Sequence, residues 1–298
     1  MLDISPLQNV EVDKATNTAW IQPGIRSEEL NEATLEHDLV FPSAHTGLVG
    51  LGGYLLGGGN GWNMGELDLA SRSILAAEII LADGKKVIAS PNDNKELHWA
   101  IRGVGPGFFG VVVRYKLQLY PVHPVTVLNH YIVPINKLSS GINELNDIRN
   151  KKDRRLEVIG KVGRFHPRDK PYTERDLVFE VSIFAFADSE EDAKNVMMPV
   201  TQSQLSELSV AKREGIHLEH MQLFTPPPTD YSSPNRTGVE NIWLDDPGKG
   251  MMILAEQMQK TPPASLRTWI LAAWGINPVK EDNTSCLQTN AGSILSWY

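Results

Sequence analysis

The run Gly47-Leu48-Val49-Gly50-Leu51-Gly52-Gly53-Tyr54-Leu55-Leu56-Gly57-Gly58-Gly59-Asn60-Gly61 holds eight glycines in fifteen residues. Glycine at that density costs backbone entropy, and a fold tolerates it where the chain needs positive φ or close backbone approach. Flexible linkers mix glycine with Ser and other polar residues. Here the intervening residues are Leu, Val and Tyr, which favours a packed loop whose backbone surrounds an anionic or planar ligand. A second cluster, Gly103-Val104-Gly105-Pro106-Gly107, lies downstream.

Neither cluster matches the common phosphate fingerprints. GxGxxG fails because Leu55 and Phe108 stand where the third glycine is required, and the pairs Gly84-Lys85 and Gly248-Lys249 lack the rest of a P-loop. The metalloprotease helix motif HExxH and the nucleophile elbow GxSxG are absent, and His217-Leu218-Glu219-His220 has the wrong spacing for the former.

Working outward, Val10, Val12, Ala19 and Ile21 alternate around a polar turn at Lys14 to Asn17, predicting a strand pair. Ser27 is placed to cap a helix over Glu28 to His37, with Leu30, Ala33 and Leu35 inward. Ile74 to Ala82 and Lys86 to Ala89 flank Asp83-Gly84, which predicts a hairpin with a type I′ turn. A helix over Glu96 to Ile101 precedes the second glycine cluster, and Tyr115, Leu117 and Leu119 mark a further strand. Beyond Tyr120 to Pro124 the texture changes. Strands are expected at Val127 to Val133, Leu156 to Val162, Leu177 to Phe186 and Thr268 to Trp274. Helices are expected at about Ile135 to Arg149, Glu190 to Thr201 and Lys249 to Lys260. The order predicts an α+β chain of two domains, 1–122 and 123–298, the second an antiparallel sheet covered by helices.

The chain has 298 residues, with 41% hydrophobic and 21% charged, in the range of folded globular proteins. Its net charge of −8 argues against nucleic-acid binding, which needs cations for phosphates. A single cysteine, Cys286, excludes an internal disulfide and a CxxC metal site, so no metal is expected. Met1 to Pro6 carries no basic and apolar signal segment, and no apolar run is long enough to span a bilayer, so a soluble chain without membrane partners is expected.

The stretch Pro42 to Gly61, then Ala76 to Gly84, Leu97-His98-Trp99-Ala100-Ile101-Arg102-Gly103 and Phe109-Gly110-Val111-Val112, resembles the FAD-linked oxidases of the vanillyl-alcohol oxidase/PCMH superfamily, above all the berberine bridge enzyme-like branch. These motifs cover about residues 2–120 in order. The second half is similar more loosely, through Asn241-Ile242-Trp243. The resemblance implies a PCMH-type FAD-binding domain followed by a substrate domain. The implied cofactor-binding set is Thr46, Gly47, Leu48, Val49, Gly50, Gly52, Gly53, Tyr54, Gly57, Gly58, Gly59, Ile74, Phe109, Gly110, Val111 and Val112. Val49 to Gly53 would lie along the flavin and pyrophosphate, with Ile74 and Phe109 to Val112 near the adenosine half.

Three departures accompany the resemblance. Thr46 stands where many members carry a flavin-linking cysteine, Tyr54 where many have histidine, and Arg72-Ser73 replaces an Asp-Asn pair. The resemblance also implies a pyrophosphate-binding segment before Leu2 and a closing segment after Tyr298. The expectation drawn from this is a truncated copy whose residues 1–122 fold poorly alone and resist proteolysis less well than the second half. The function implied is oxidation of an alcohol or amine C–H of a small organic substrate, with molecular oxygen as acceptor because a small Val49 occupies the position that gates oxygen. Tyr131, Glu180 and Tyr298 are the candidate bases. The rival is a non-catalytic remnant that binds little or no FAD. A third reading, a sugar-binding module using Trp62, is opposed by the place of Trp62 in the glycine loop, where packing is expected.

Overall fold

In the computed structural model, which describes residues 2–151, 153–224, 240–260, 270–274, 285–287 and 293–297, the chain divides into two units. The first comprises the residues up to Val122 with the described parts of 219–230 and 280–288, and the second begins at His123.

The first unit contains β1 (Val10–Asp13), β2 (Thr18–Ile21), β3 (Leu39–Val40), β4 (Ile74–Ile80), β5 (Lys86–Ala89), β6 (Val111–Gln118) and β7 (Tyr120–Pro121). Its helices are α1 (Ser27–Leu35), α2 (Leu51–Leu56), α3 (Met64–Leu67) and α4 (Lys95–Ile101). Five strands form an antiparallel sheet in the order β1-β2-β6-β4-β5, while β3 and β7 pair separately. Alternation decides the buried face: Tyr115 and Leu117 of β6 and Ala77 and Ile79 of β4 are fully buried with Leu30, Leu51 and Leu55.

Local chemistry moves several boundaries. Arg26, not Ser27, is the residue before α1; the Glu29 carboxylate accepts from the Arg26 N–H at 2.8 Å. Ser27 is buried because its N–H and hydroxyl both donate to the Val49 carbonyl, at 2.9 and 3.2 Å. The inward face of α1 is Ser27, Leu30, Asn31 and Thr34, with Ala33 and Leu35 only half-buried. The β4–β5 connection is not type I′, which needs positive φ at both central residues. Only Gly84 has positive φ (82°), and Leu81 closes the loop by donating to Lys85.

The second unit contains β8 (Val125–Pro134), β9 (Leu156–His166), β10 (Asp176–Ala187), β11 (Ala211–His217), β12 (Glu240–Leu244), β13 (Ile270–Trp274) and β14 (Ser293–Trp297). Its helices are α5 (Leu138–Lys151), α6 (Glu190–Thr201), α7 (Leu205–Leu208) and α8 (Pro247–Lys260). The strands make one seven-stranded antiparallel sheet in the order β11-β8-β10-β9-β13-β14-β12. Phe179, Val181 and Ile183 of β10, all fully buried, face the helices and pack with Leu145, Val196 and Met251. The expected helix at Ile135 begins instead as a short 3-10 turn, Ile135–Lys137, before α5. Trp269 and the first residues of its expected strand lie outside the described residues.

Candidate functional site

The glycine loop folds back on the start of α1. The Gly47 carbonyl accepts from the Glu28 N–H at 3.1 Å and the Val49 carbonyl from Ser27, while Leu51 and Gly52 donate to Ile25 and Pro23, each at 2.9 Å. Leu51 and Leu55, four apart and fully buried, then set the single short helix α2 where the sequence suggested only loop.

An added Cβ separates the glycines into two groups. At Gly47 it would lie 2.4 Å from Glu28 Oε2, at Gly52 2.9 Å from the Pro23 carbonyl, and at Gly59 2.7 Å from Ala70 Cβ. At Gly58 and Gly103, with φ of +102° and +122°, it would strike Leu287 at 2.5 and 2.3 Å; at Gly110 it would strike Ile79 at 2.7 Å. The chain's own packing requires glycine at those positions. At Gly50, Gly53 and Gly107 a Cβ meets nothing within 4 Å and φ is not positive. Gly53 is a helix-interior glycine with an exposed face, a choice that costs about 1 kcal/mol relative to Ala. Gly105 also has open space beside it, but it is buried and its φ of +70° itself calls for glycine; its 3-10 turn, Gly105–Gly107, packs beside α2 and leaves Gly107 exposed. Two turns therefore present bare backbone together, which suits a flat ligand such as a flavin nucleotide. Gly105 and Gly107 were missing from the residues drawn from the sequence, although the second glycine cluster was the available signal.

The other expected residues have varied settings. Leu48 and Phe109 are strongly exposed, Gly57 is exposed, and Thr46, Val49, Tyr54 and Val111 are half-buried. Ile74 and Val112 are core residues of the first unit. The Tyr54 hydroxyl donates to the Pro42 carbonyl at 2.8 Å. Trp62 is buried and its ring lies 4.5 Å from that of His45, as packing in the loop requires. Phe109, Trp99, Pro91 and Arg102 line a cavity of about 650 Å³. The buried Arg102 guanidinium donates to the Ser71 and Arg72 carbonyls at 3.2 and 3.1 Å, pinning the turn that enters β4. Its own carbonyl accepts from Leu287 N–H and Ser285 Oγ.

In the second unit, directly paired residues share a face. His130 pairs with Ser182 and Arg213, and Glu180 pairs with Ile132 and Lys161, all opposite the helices. Glu180 is buried. Its Oε1 lies 3.2 Å from His130 Nε2 and 3.1 Å from Arg168, while His130 Nδ1 lies 3.1 Å from Ser182 Oγ. Burial pulls the His130 imidazole below its ordinary pKa, Glu180 opposes that, and Arg168, Lys161 and Arg213 add to it. Tyr131 pairs with Val181 and so faces the helix side. Its hydroxyl donates to Glu214 at 2.8 Å, and burial followed by Glu214 raises its pKa strongly. Of the three candidate bases, Tyr131 and Glu180 thus point to opposite faces, and Tyr298 lies outside the described residues. Among the described residues, no group of His, Cys, Asp or Glu could hold a metal, and no helix is long and apolar enough to cross a membrane.

Residues 1–90 match the family model of the FAD binding domain. The FAD-linked oxidoreductase nodO of Hypoxylon pulicicidum is 30% identical over 200 residues, 67% of this chain and 43% of that protein. Berberine bridge enzyme-like 24 of Arabidopsis thaliana is 39% identical over 129 residues, 43% of this chain and 24% of that one. The chain therefore spans less than half the length of these relatives. Among solved structures, Physcomitrella patens BBE-like 1 superposes with a TM-score of 0.78 at 17% identity, covering 98% of this chain and 64% of its own. Residues 1–90 thus match an FAD binding domain, and the chain is similar in sequence to FAD-linked, berberine bridge enzyme-like oxidoreductases over part of their length and shares the fold of BBE-like 1.

Proposed function

We propose that this chain holds FAD against the open backbone of Gly50, Gly53, Gly105 and Gly107, and that it serves an oxidoreductase taking a hydride from an alcohol or amine C–H of a small organic substrate, with molecular oxygen as the final acceptor. The observation that carries the reading is the open space beside these glycines, three of which, Gly50, Gly53 and Gly107, have neither a close neighbour nor a positive φ to require glycine. FAD, when bound, supplies the two-electron acceptor such a reaction needs. The protein's part is to offer a floor already fixed by Pro23, Ile25, Ser27 and Glu28, so that the loop need not order itself around the ligand. Thr46 and Val49, half-buried at the edge of this floor, are the side chains proposed to set attachment and oxygen access.

Purified chain should take up FAD in an absorbance and fluorescence titration, and Gly53→Val, which extends a branched side chain over the open face, should weaken uptake at least tenfold. Equal uptake by both would sink the proposed floor. The oxygen reading is tested by stopped-flow reoxidation of the dithionite-reduced, FAD-loaded chain. Val49→Leu should slow reoxidation, and slow reoxidation of the parent that Val49→Leu leaves unchanged would count against it.

A further inference from the structure

Asn60-Gly61 is the sole Asn-Gly pair in the chain, and it sits inside the glycine loop. Asparagine followed by glycine loses its amide readily, because glycine has no side chain to hold its nitrogen away from the neighbouring carboxamide. The Gly61 nitrogen attacks Asn60 Cγ, the amide nitrogen leaves as ammonia, and a five-membered succinimide forms. Water then opens that ring at either carbonyl, giving aspartate or isoaspartate. Water is the only co-reactant.

The reacting groups are unoccupied, but the backbone that carries them is held. Asn60 is half-buried, and among the described residues neither its side chain nor the Gly61 N–H makes a hydrogen bond. Ring closure requires the Asn60–Gly61 peptide to swing, and both flanks of that peptide are tied down. On one side the Gly58 and Gly59 carbonyls accept from the Ser71 and Ala70 N–H groups, each at 2.9 Å. On the other the Trp62 N–H donates to the Ser43 carbonyl at 3.0 Å, and the Trp62 side chain is buried. Gly61 itself lies against three oxygens. A Cβ there would sit 2.3 Å from the Ser43 carbonyl, 2.4 Å from the Tyr54 hydroxyl and 2.5 Å from the Pro42 carbonyl. The Tyr54 hydroxyl also donates to the Pro42 carbonyl at 2.8 Å, which ties two walls of this slot together.

We propose that Asn60 is a modification site gated by the loop: it deamidates when residues 58–62 lift from Ser43 and Ala70, and is protected while they are seated. The step runs one way. Isoaspartate lengthens the backbone by one methylene between Gly59 and Gly61, and either product places a negative charge beside a slot lined by carbonyl and hydroxyl oxygens. The loop then cannot restore both the Gly59–Ala70 and the Trp62–Ser43 bonds, so a chain that has stayed open long enough remains open. The inference concerns the loop alone and does not depend on what the loop binds.

The test ages the intact chain in mildly alkaline buffer with and without urea, and peptide mapping by mass spectrometry follows each asparagine. The change from amide to acid separates Asn60 from isomerisation at Asp83-Gly84. In urea Asn60 should be the first asparagine to react. Without urea it should react about tenfold more slowly or less, because reaction is confined to the time the loop spends open. Tyr54→Phe keeps the ring and removes the bond to Pro42, so it should speed the reaction in the folded chain and leave the rate in urea unchanged. Hydrogen exchange at the Trp62 amide gives a second measure that holds even where this variant is less stable. The Asn60 rate should rise in step with that exchange. Equal rates with and without urea, or an Asn60 rate that does not follow Trp62 exchange between parent and variant, overturns the gate. Chain aged to full conversion at Asn60 should melt at a lower temperature than fresh chain, and an unchanged melting temperature overturns the one-way step.

Discussion

Gly53 and Gly59 belong to one loop, and substitution should separate their reasons. Gly53→Ala adds a methyl to a helix position with free space, so the ligand-free chain should gain about 1 kcal/mol while FAD affinity falls. Gly59→Ala adds one at φ +74° against Ala70 and Tyr54, so it should lower the melting temperature whether or not FAD is present. Calorimetry with and without FAD checks both, and a Gly53→Ala variant that binds FAD as tightly as the parent would remove the argument from the open face. At Thr46 the expectation concerns covalent chemistry, since a hydroxyl cannot form the thioether a cysteine forms. Acid precipitation should show the same partition of flavin between pellet and supernatant for the parent, Thr46→Ala and Cys286→Ser. The density of glycine was plain in the sequence. Which glycines have open space beside them was not, because the atoms that crowd the others come from Glu28, Pro23, Ile79 and Leu287, residues that fold alone brings close.

At the scale of elements, α6 was legible to the residue, because Ser189 caps it and accepts from the Asp192 N–H at 3.1 Å ahead of a regular apolar stripe. By contrast α2 was hidden, since its glycines argue for loop while Leu51 and Leu55 argue for a buried turn, and tertiary burial wins. Segment 285–287 was equally invisible. It docks on α4 through Cys286 N–H to the Trp99 carbonyl at 3.1 Å and Leu287 N–H to the Arg102 carbonyl at 3.2 Å, a contact nearly two hundred residues distant in the chain. Gly103→Ala would force Leu287 away, since its Cβ would sit 2.3 Å from that of Leu287. Cys286, the only thiol, should then react several-fold faster with Ellman's reagent, and an unchanged rate would show that the segment is not held there.

For the molecule as a whole, the change of texture after Tyr120 marks where the second unit starts, at His123, but linear order gave no sign that His220–Phe224 and Ser285–Leu287 return to the first. The return carries a pH dependence. His220 packs with Phe224 in the turn that lies on α1; its Nε2 is buried with no hydrogen-bond partner, and burial lowers its pKa to about 4. The unfolded chain, titrating near 6.5, binds the proton first, so stability is full above about pH 6.5 and is lost as pH falls towards 4. At about 1.4 kcal/mol per pH unit, this one group contributes a loss of order 3 kcal/mol. Urea midpoints at pH 7 and pH 4.5 should converge in His220→Phe relative to the parent, and parallel losses in the two proteins would refute the assignment.

The hydrogen bonds that tie Gly47, Val49, Leu51 and Gly52 to Pro23, Ile25, Ser27 and Glu28 have a kinetic meaning as well. A binding loop that is already shaped has no ordering step to complete after encounter, so association should be a single bimolecular phase whose rate rises linearly with FAD concentration. The amides of Leu51 and Gly52 should exchange with solvent deuterium as slowly before loading as after it.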